Sequence, residues 1–309
     1  MSSIKNYKHI NNWNYRQVIS FLVTICLFCL FFAADCKAKN RALLIGISQY
    51  SPNYEWPAIS GSNDIDLIKG VLKDFSVKEL RNDQATYDNI KKELERLVQQ
   101  SKPADIVYIH FSGHGQPVED YDGDEADGWD EAFVPYDAGD KYEAGVYEGD
   151  KHLIDDTLNG YLEHLRTKLG PSGFLYVVID ACHAGEEYRG EEEDDEAPSR
   201  GSIVGISKND KFFVAKLNNV KHYPIAAESD KSNIVMMEAC RSYQVNREIK
   251  RDDKFYGPLS YSVYLVLKDK PMQSDEKWFF NIEETFNKQR PAGSSQRMVI
   301  ESTITPSDK

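Results

Sequence analysis

Residues Phe174 to Gly185 have the sequence FLYVVIDACHAG, and this stretch decides the fold. Its first seven residues are almost all apolar, which predicts a strand buried on both faces of a sheet. The strand ends at Asp180, and Cys182 follows it. A second stretch, DIVYIHFSGHG at Asp105 to Gly115, repeats the pattern with His114 after its strand. Two strand ends therefore each carry one reactive side chain.

Further strands and helices alternate along the chain. The apolar runs Ala42 to Ser48 and Asn233 to Ala239 predict two more buried strands. Apolar residues at helical spacing predict helices between the strands: Ile65, Ile68, Val71, Leu72 and Phe75; Ile90, Leu94, Leu97 and Val98; Leu158, Tyr161, Leu162, Leu165 and Leu169; Tyr261, Tyr264, Leu265 and Leu267. This alternation predicts an α/β fold with a mainly parallel central sheet and helices on both faces. Two polar segments, Gln116 to Glu131 and Glu186 to Ser202, are expected to be exposed loops.

The first forty residues differ from the rest of the chain. Basic residues precede an uncharged apolar run from Val18 to Ala34, and this order is typical of a signal peptide. We expect residues 1–38 to be a signal peptide that is removed and residues 39–309 to form the folded domain. Export to the periplasm or the extracellular space follows from this. Acylation of Cys36 would instead give a lipoprotein, but the preceding Asp35 fits that processing poorly.

The charge of the chain excludes some partners. The net charge is −13, and the first 38 residues hold four basic residues and one acidic residue, so their removal would bring it to −16. Such an acidic balance opposes binding to nucleic acid and favours cationic ligands, metal ions or basic peptides, although it can also serve only solubility. We expect no nucleic-acid partner, and no stable insertion into a membrane once the leader is removed.

The cysteine content leaves few thiols that could take part in chemistry. Three of the five cysteines lie in the leader, which leaves Cys182 and Cys240. No disulfide framework is expected from two cysteines, and a free thiol in an exported protein raises the question of whether it has a chemical use. Cys240 follows an apolar strand without surrounding glycines, and we expect it to belong to the core.

The two strand ends together predict thiol chemistry. The carboxyl ends of parallel strands meet at one edge of a sheet, so Cys182 and His114 are expected at the same crevice. A cysteine needs a nearby imidazole to form its thiolate and to move a proton to the leaving amine. The amides of Gly115 and Cys182 are suited to hold the oxyanion that forms. These residues predict a cysteine endopeptidase with Cys182 as nucleophile and His114 as its partner.

The motifs around both residues resemble those of a known family. FSGHG at Phe111 to Gly115 and DACHAG at Asp180 to Gly185 are similar to the paired histidine and cysteine motifs of metacaspases and their bacterial relatives. GSNDIDLI from Gly61, DGWDEAFVPYD from Asp127 and YGPLSYSVYLVL from Tyr256 resemble further segments of that family. DACHAG does not match the local signature of true caspases, Gln-Ala-Cys followed by Arg, Gln or Gly and then Gly. The resemblance implies the caspase-haemoglobinase-like sandwich fold.

The resemblance also implies a specificity. Metacaspases accept Arg or Lys before the cut, and the acidic positions of their pocket match Asp64 and Asp180. The expected substrates are therefore proteins or peptides with basic residues. Helix capping is the alternative role for Asp64, and a buried structural acid is the alternative for Asp180.

Calcium is a further implication of the resemblance. Asp137, Asp155 and Asp156 match acidic positions that bind Ca²⁺ in calcium-dependent metacaspases, and carboxylates are suitable ligands for this ion. No cofactor is expected for the chemistry itself, so calcium would act as an activator. Asp155 and Asp156 open a predicted helix, and capping explains at least one of them without a metal.

An acidic, irregular insertion is expected at residues 186–230, directly after the nucleophile. It contains or adjoins four basic residues at which an enzyme specific for Arg or Lys would cut itself: Arg189, Arg200, Lys208 and Lys211. Our hypothesis is that the insertion covers the site in a latent form and is released by self-cleavage. A solvated loop without this role is the alternative.

Two other functions remain open at this point. One is a caspase-like fold that binds or scaffolds other proteins with weak or absent catalysis, but such proteins normally lose a catalytic residue. The other is a peptidase of the clostripain or gingipain type. The segment DGWDEAFVPYD favours the metacaspase type over that second alternative.

Overall fold

The architecture is built from twelve described strands and five described α-helices. The computed structural model describes residues 38–123, 125, 128–183, 197–202, 204–208, 222–242, 244–270, 272 and 278–304. The strands are β1 (Asn40–Gly46), β2 (Phe75–Arg81), β3 (Ile106–Ser112), β4 (Gly115–Glu119), β5 (Trp129–Phe133), β6 (Leu153–Ile154), β7 (Phe174–Asp180), β8 (His222–Pro224), β9 (Asn233–Glu238), β10 (Ile249–Arg251), β11 (Lys254–Tyr256) and β12 (Val299–Ser302). The helices are α1 (Gly61–Val71), α2 (Tyr87–Gln100), α3 (Asp155–Leu169), α4 (Pro258–Asp269) and α5 (Phe279–Gln289).

A seven-stranded sheet has the order β2-β1-β3-β7-β9-β12-β8. Strands β2, β1, β3, β7 and β9 are mutually parallel, whereas β12 runs antiparallel to β9. Ser112, the last residue of β3, pairs with Asp180, the last residue of β7. His114 and Cys182 each stand two residues beyond this pair. The register therefore brings both motifs to the same edge of the sheet, as the sequence predicts.

The two faces of the sheet are buried under different helices. On β3, Val107 and Ile109 face a core with the apolar residues of α2 and α3, whereas Tyr108 faces the core formed with α1, α4 and α5. The same alternation holds along β1 and β7, because successive side chains of a strand point to opposite faces. Helices on both faces of a mainly parallel sheet agree with the predicted fold class.

A small antiparallel sheet, β4-β5-β6, lies beside the central one. The prediction of an exposed loop at Gln116 to Glu131 is therefore wrong at both ends of that segment. Its Asp and Gly residues are concentrated between the two strands, and the flanks carry the buried side chains of Val118 and Trp129. Composition averaged over the whole segment hides these two strand ends.

The first helix is shorter than its apolar pattern suggests. We expected Phe75 to continue the helical stripe that begins at Ile65, but α1 ends at Val71 and Phe75 opens β2. Leu72, Lys73 and Asp74 separate the two elements, and β2 then pairs with β1 along its whole length. The pairing of β2 with β1 therefore overrides the local periodicity.

The C-terminal elements surround the same core. Helix α4 starts at Pro258, and its buried stripe consists of Leu259, Val263 and Leu267 instead of Tyr261 and Tyr264. Within the described part of the chain, no helix has the length and apolar character needed to cross a membrane. The expected signal peptide, including Cys36, lies outside the described residues except for Ala38.

Candidate active site

His114 sits in an aromatic cage at the end of β3. Its ring stacks on Trp56, with ring centroids 5.0 Å apart, and Tyr50 lies at 5.1 Å on a tilted plane. The His114 backbone N–H donates to the Tyr50 hydroxyl at 2.7 Å. Gly113 allows this close packing, because a Cβ there would lie 2.9 Å from the Phe133 ring. The cage holds the imidazole in one position.

The hydrogen bonds of His114 decide which ring nitrogen acts as a base. Nε2 lies 2.9 Å from the carbonyl oxygen of Pro57, so Nε2 carries the proton and donates it to that oxygen. Nδ1 is buried without a hydrogen-bond partner among the described residues. The pKa of His114 is lowered to about 4, mainly by burial, and the positive charge of Arg200 acts in the same direction. The ring is therefore neutral at pH 7, with Nδ1 available to accept a proton.

Cys182 is held as a thiol. It is fully buried, and its Sγ–H donates to the carbonyl oxygen of Gln244 at 2.6 Å. Cys240 lies next to it, and burial together with a hydrogen bond to Cys182 raises the pKa of the Cys240 thiol well above its usual value. Neither cysteine is in a disulfide. Cys240 is buried as expected, and it lies directly beside Cys182.

The described end of the acidic insertion lies across this site as an extended strand. Glu248 N–H donates to the carbonyl oxygen of Pro198 at 2.9 Å, and Arg200 N–H donates to the carbonyl oxygen of Asn246 at 3.0 Å. Ser199 forms an antiparallel bridge with Arg247 between these bonds. This is the way in which an extended peptide adds to an exposed strand edge.

The carbonyl group of Arg200 points at the predicted oxyanion donors. Its oxygen accepts from Gly115 N–H at 3.0 Å and from Cys182 N–H at 3.2 Å. Gly115 must lack a side chain here, because a Cβ would lie 2.6 Å from the Cys182 carbonyl oxygen. The structure thus brings Gly115 and Cys182 together on one carbonyl, and that carbonyl belongs to the chain itself.

The Arg200 side chain fills a closed acidic pocket and is fully buried. Nη2 lies 2.8 Å from Asp64 Oδ2 and 2.7 Å from Glu248 Oε1. Nη1 donates to Ser112 Oγ at 2.8 Å, and Ser112 in turn donates to Asp64 Oδ2 at 2.6 Å. Asp64 lies inside the first turn of α1, and its acceptors face the pocket instead of capping the helix.

Asp180 forms the wall of this pocket. Its Oδ2 accepts from both the N–H and the hydroxyl of Ser260 at 2.7 Å, and Oδ1 accepts from Asn246 at 2.7 Å. Arg200 Nη1 stands 3.5 Å from Oδ1. A Cβ on Gly257 would lie 2.1 Å from Asp180 Oδ2, so only glycine lets the start of α4 approach so closely. Asp180 therefore supports the pocket more than it contacts the guanidinium.

The electrostatics of the pocket follow from burial. Burial raises the pKa of Asp64 to about 7, although the guanidinium of Arg200 opposes this. The surrounding carboxylates raise the pKa of Arg200 above its ordinary value against the effect of burial. Three carboxylates, those of Asp64, Asp180 and Glu248, surround one guanidinium. Such a pocket is made for a cationic side chain.

The four positions expected for self-cleavage differ in burial and in whether the structure describes them. Arg200 is fully buried in the acidic pocket, whereas Lys208 is exposed. Arg189 and Lys211 lie outside the described residues. Of the described part of the insertion, residues 204–207 continue along β4, where Ile206 N–H donates to Pro117 O at 2.9 Å. Both sides of the Arg200–Gly201 bond are therefore bound to the domain.

The expected calcium residues are not assembled as one set. Asp137 Oδ2 accepts from Lys151 at 2.7 Å and Oδ1 accepts from Tyr87 N–H at 2.8 Å, so this carboxylate is already neutralised and caps the start of α2. Asp155 and Asp156 both lie in the first turn of α3. Among the described residues, no group of three or more His, Cys, Asp or Glu side chains is arranged to hold a metal ion.

Of the three residues expected to bind calcium, Asp155 has a buried carboxylate oxygen, Oδ1, without a hydrogen-bond partner among the described residues. The pKa of Asp155 is raised to about 7, mainly by burial and also by the charges of Asp130, Asp156 and Glu125. Oδ1 of Asp155 thus lacks a partner within the described part of the chain, whereas Asp137 is paired with Lys151. Asp130, on β5, is an acidic residue close enough to raise the pKa of Asp155.

Several residues of the site escape prediction from the sequence. Ser112 lies within the quoted FSGHG motif, and its position at the end of β3 was a usable sign. Glu248 and Asn246 lie in the polar segment QVNREIK, which carries no recognisable motif. Pro57 follows Trp56 in a loop far along the chain from His114. Only the folded chain brings these residues together.

Comparisons with known proteins show the family of the chain. Residues 39–306 match the caspase domain family. Metacaspase-1 of Eremothecium gossypii is 33% identical over 164 residues, which cover 49% of this chain and 33% of that protein. Metacaspase-1B of Aspergillus terreus is 25% identical over 277 residues, covering 77% of this chain and 69% of that protein. The predicted resemblance to metacaspases is confirmed.

Solved structures share the fold. Protein GSU0716 of Geobacter sulfurreducens superposes with a TM-score of 0.59 at 18% identity, covering 87% of this chain and 96% of that chain. Caspase-1 of Spodoptera frugiperda superposes with a TM-score of 0.52 at 12% identity, covering 87% of this chain and 90% of that chain. These likenesses confirm the predicted fold class.

Proposed function

Because the chain belongs to the caspase domain family, we propose that it is a cysteine endopeptidase that hydrolyses peptide bonds after Arg or Lys. The observation that carries this proposal is the position of Arg200. Its side chain lies against Asp64, and its carbonyl oxygen accepts from Gly115 and Cys182. A substrate residue before the cut would need the same contacts. The chain's own Arg200 thus serves as the template for the substrate.

The residues present account for each chemical step. His114 Nδ1 takes the proton of the Cys182 thiol, and the thiolate attacks the carbonyl carbon of the substrate residue. The charge that develops on the carbonyl oxygen is held by the Gly115 and Cys182 amides. The C–N bond then breaks, and His114 gives its proton to the leaving amine. Water then attacks the thioester carbon while His114 accepts a proton from that water. The C–S bond breaks to release the carboxylic acid product, and His114 returns its proton to the Cys182 thiolate.

Self-cleavage between Arg200 and Gly201 is the second part of the proposal. The described segment is bound on both sides of this bond, and the oxyanion donors already engage its carbonyl. The Cys182 thiol donates to the carbonyl oxygen of Gln244. The thiol therefore has to turn away from Gln244 before it can transfer its proton to His114. This describes a latent enzyme that is ready for one intramolecular turnover. Arg200 is the favoured position because Lys208 is exposed to solvent.

Calcium activation is the third part. Asp155 is the central residue for the ion, with Asp130 and Asp156 as its acidic neighbours. A bound calcium ion would supply positive charge that neutralises these carboxylates. Because Asp155 opens α3 and Asp130 lies on β5, neutralisation would allow the two elements to stay close together. The role proposed for calcium is therefore structural support of the site.

The test is hydrolysis of fluorogenic peptides that end in Arg, Lys or Asp by the full chain, with and without calcium. Turnover after Arg or Lys but not after Asp is expected, and Cys182→Ala should abolish it while the matched variant Cys240→Ala retains it. Self-cleavage is read from the new N-terminus, which should be Gly201 in the wild type. Arg200→Ala should remove this product and Lys208→Ala should not. Turnover that survives in Cys182→Ala, or a preference for Asp, would contradict the proposal.

A further inference from the structure

Glu248 makes a contact with Arg200 that no other described residue makes. Its Oε1 accepts from Arg200 Nε at 3.1 Å and from Nη2 at 2.7 Å. The same oxygen accepts from the Ser60 backbone N–H at 2.7 Å, which fixes the carboxylate in place. Oε2 is buried and has no hydrogen-bond partner among the described residues. Glu248 therefore covers the edge of the guanidinium that carries Nε.

The other partners of Arg200 touch only its terminal nitrogens. Asp64 contacts Nη2, and Ser112 and Asp180 contact Nη1. A lysine side chain ends in one compact ammonium group, which can approach these acceptors at the bottom of the pocket. It has no atom equivalent to Nε, so the Nε bond to Glu248 exists only for arginine. The two basic residues thus differ in this pocket mainly by what they offer to Glu248.

We propose that Glu248 is a specificity-determining residue that selects Arg over Lys before the cut. The inference rests on the proposed function, because it concerns the same pocket. Asp64 supplies charge that either basic side chain can use, whereas Glu248 recognises the planar edge of the guanidinium. Recognition of that edge is what distinguishes arginine from lysine chemically.

The backbone of Glu248 has a separate task that a side-chain change leaves intact. Its N–H donates to the Pro198 carbonyl, two residues before Arg200. Truncation of the Glu248 side chain keeps this N–H, so the extended substrate stays aligned while the contact to Nε is lost. A change in selectivity therefore reports on the side chain alone.

The experiment compares kcat/KM for matched peptides ending in Arg or Lys in wild type, Glu248→Ala, Glu248→Gln and Asp64→Asn. The ratio of the two values does not depend on the fraction of active enzyme, so incomplete self-cleavage does not affect it. Hydrogen bonds to charged groups contribute about 1.5–3 kcal/mol, so the Arg-to-Lys ratio should fall at least about tenfold in Glu248→Ala. Glu248→Gln keeps an acceptor oxygen and should retain more of the ratio. Asp64→Asn should lower both values while the ratio changes less than about threefold.

A second measurement uses the chain as its own substrate. Arg200→Lys should slow self-cleavage in the wild-type background but have little effect in the Glu248→Ala background. This double-mutant cycle requires no added peptide. The wild type and Arg200→Lys serve as its folded references. An unchanged Arg-to-Lys ratio in Glu248→Ala, or equal slowing by Arg200→Lys in both backgrounds, would overturn the role of Glu248. Failure of the wild type to cleave after either residue would instead overturn the proposed function, and the inference with it.

Discussion

The carbonyl oxygen of Arg200 accepts a hydrogen bond from Gly115 N–H at 3.0 Å. This bond joins the acidic insertion to the motif that follows β3, although the two residues are far apart in the sequence. It places the Arg200 carbonyl where the proposed mechanism puts the carbonyl of a substrate. The insertion is therefore an intramolecular ligand of the site, and a peptide substrate has to compete with it.

Removal of Arg200 should destabilise the fold in a pH-dependent way. Arg200→Ala leaves the buried carboxylates of Asp64, Asp180 and Glu248 without their cation, and breaking a buried ion pair costs about 3–5 kcal/mol. The pKa of Asp64 is about 7 in the folded chain even with Arg200 present, which is above its ordinary value of 3.8. The unfolded chain thus binds fewer protons between these values, so the stability of the variant should fall as pH rises through this window.

Urea unfolding of the inert Cys182→Ala variant, with and without Arg200→Ala, measures this effect. The free energy of unfolding should drop more at pH 8 than at pH 5.5. Lys208→Ala in the same background is the matched control, because Lys208 is exposed. A loss that does not depend on pH would argue against a charged pocket.

Competition by the insertion should be visible in peptide binding. In the Cys182→Ala variant, the Arg200 side chain occupies the acidic pocket, so a labelled peptide ending in Arg should bind weakly. An intramolecular ligand acts at an effective concentration of about millimolar for a short flexible connection. The double variant Cys182→Ala/Arg200→Ala should therefore bind the peptide at least about tenfold more tightly. Fluorescence polarisation gives both affinities, and equal affinities would show that the insertion does not block the pocket.

The sequence was sufficient for the sheet and for the shared edge that carries Cys182 and His114, because both rest on local patterns. Buried parallel strands appear as apolar runs such as Phe174 to Asp180, and the carboxyl ends of such strands share one edge. The register of Ser112 with Asp180 then places Cys182 and His114 without further information. Helical stripes were less reliable at their ends. Phe75 fits the spacing of α1, but pairing with β1 made it part of a strand.

The rest of the site depends on contacts that no local pattern encodes. Glu248 lies 188 positions from Ser60, whose N–H holds its carboxylate. The selection of Arg200 from four basic residues depends on the fit of its side chain into a pocket whose three carboxylates come from separate segments. Asp137 matches a ligand position of the family that the sequence resembles, but its pairing with Lys151 becomes visible only in the folded chain. Long-range partners decide each of these cases.

Calcium binding should depend on pH through Asp155. The pKa of this carboxyl is raised to about 7 by burial and by Asp130, Asp156 and Glu125, so a proton occupies it below pH 7 in the metal-free chain. Calcium must displace that proton, and its apparent affinity should fall about tenfold per pH unit well below pH 7. Isothermal titration of Cys182→Ala with CaCl₂ at pH 5.5, 6.5 and 8 measures this dependence.

Two variants distinguish the contributions of Asp155 and Asp137 to calcium binding in that titration. Asp155→Asn should abolish the calcium signal. Asp137→Asn should preserve it, because Asp137 is paired with Lys151. Equal loss in both variants would restore Asp137 to the site, and a calcium affinity that is constant across these pH values would remove Asp155 from it.

The two pieces produced by cleavage after Arg200 should remain one particle. The N-terminal piece carries β7 and the C-terminal piece carries β9, and these strands pair along six residues from Phe174↔Asn233 to Ile179↔Glu238. Helix α4 of the C-terminal piece also buries Leu259 and Val263 in the core that contains Ile65 and Ile68 of α1. Separation would expose this apolar core, at a cost of roughly 25 cal/mol for each Å².

Size-exclusion chromatography of the cleaved wild type should therefore show a single peak at the elution volume of uncleaved Cys182→Ala. Denaturing gels of that peak should show both pieces in equal amounts. Residues 204–207 strengthen the association, because Ile206 is fully buried and hydrogen-bonds with β4. Ile206→Asp should hence lower the urea concentration at which the pieces separate, whereas the exposed neighbour Val204→Asp should not. Elution of two separate pieces from the wild type without denaturant would mean that the shared sheet does not hold the cleaved chain together.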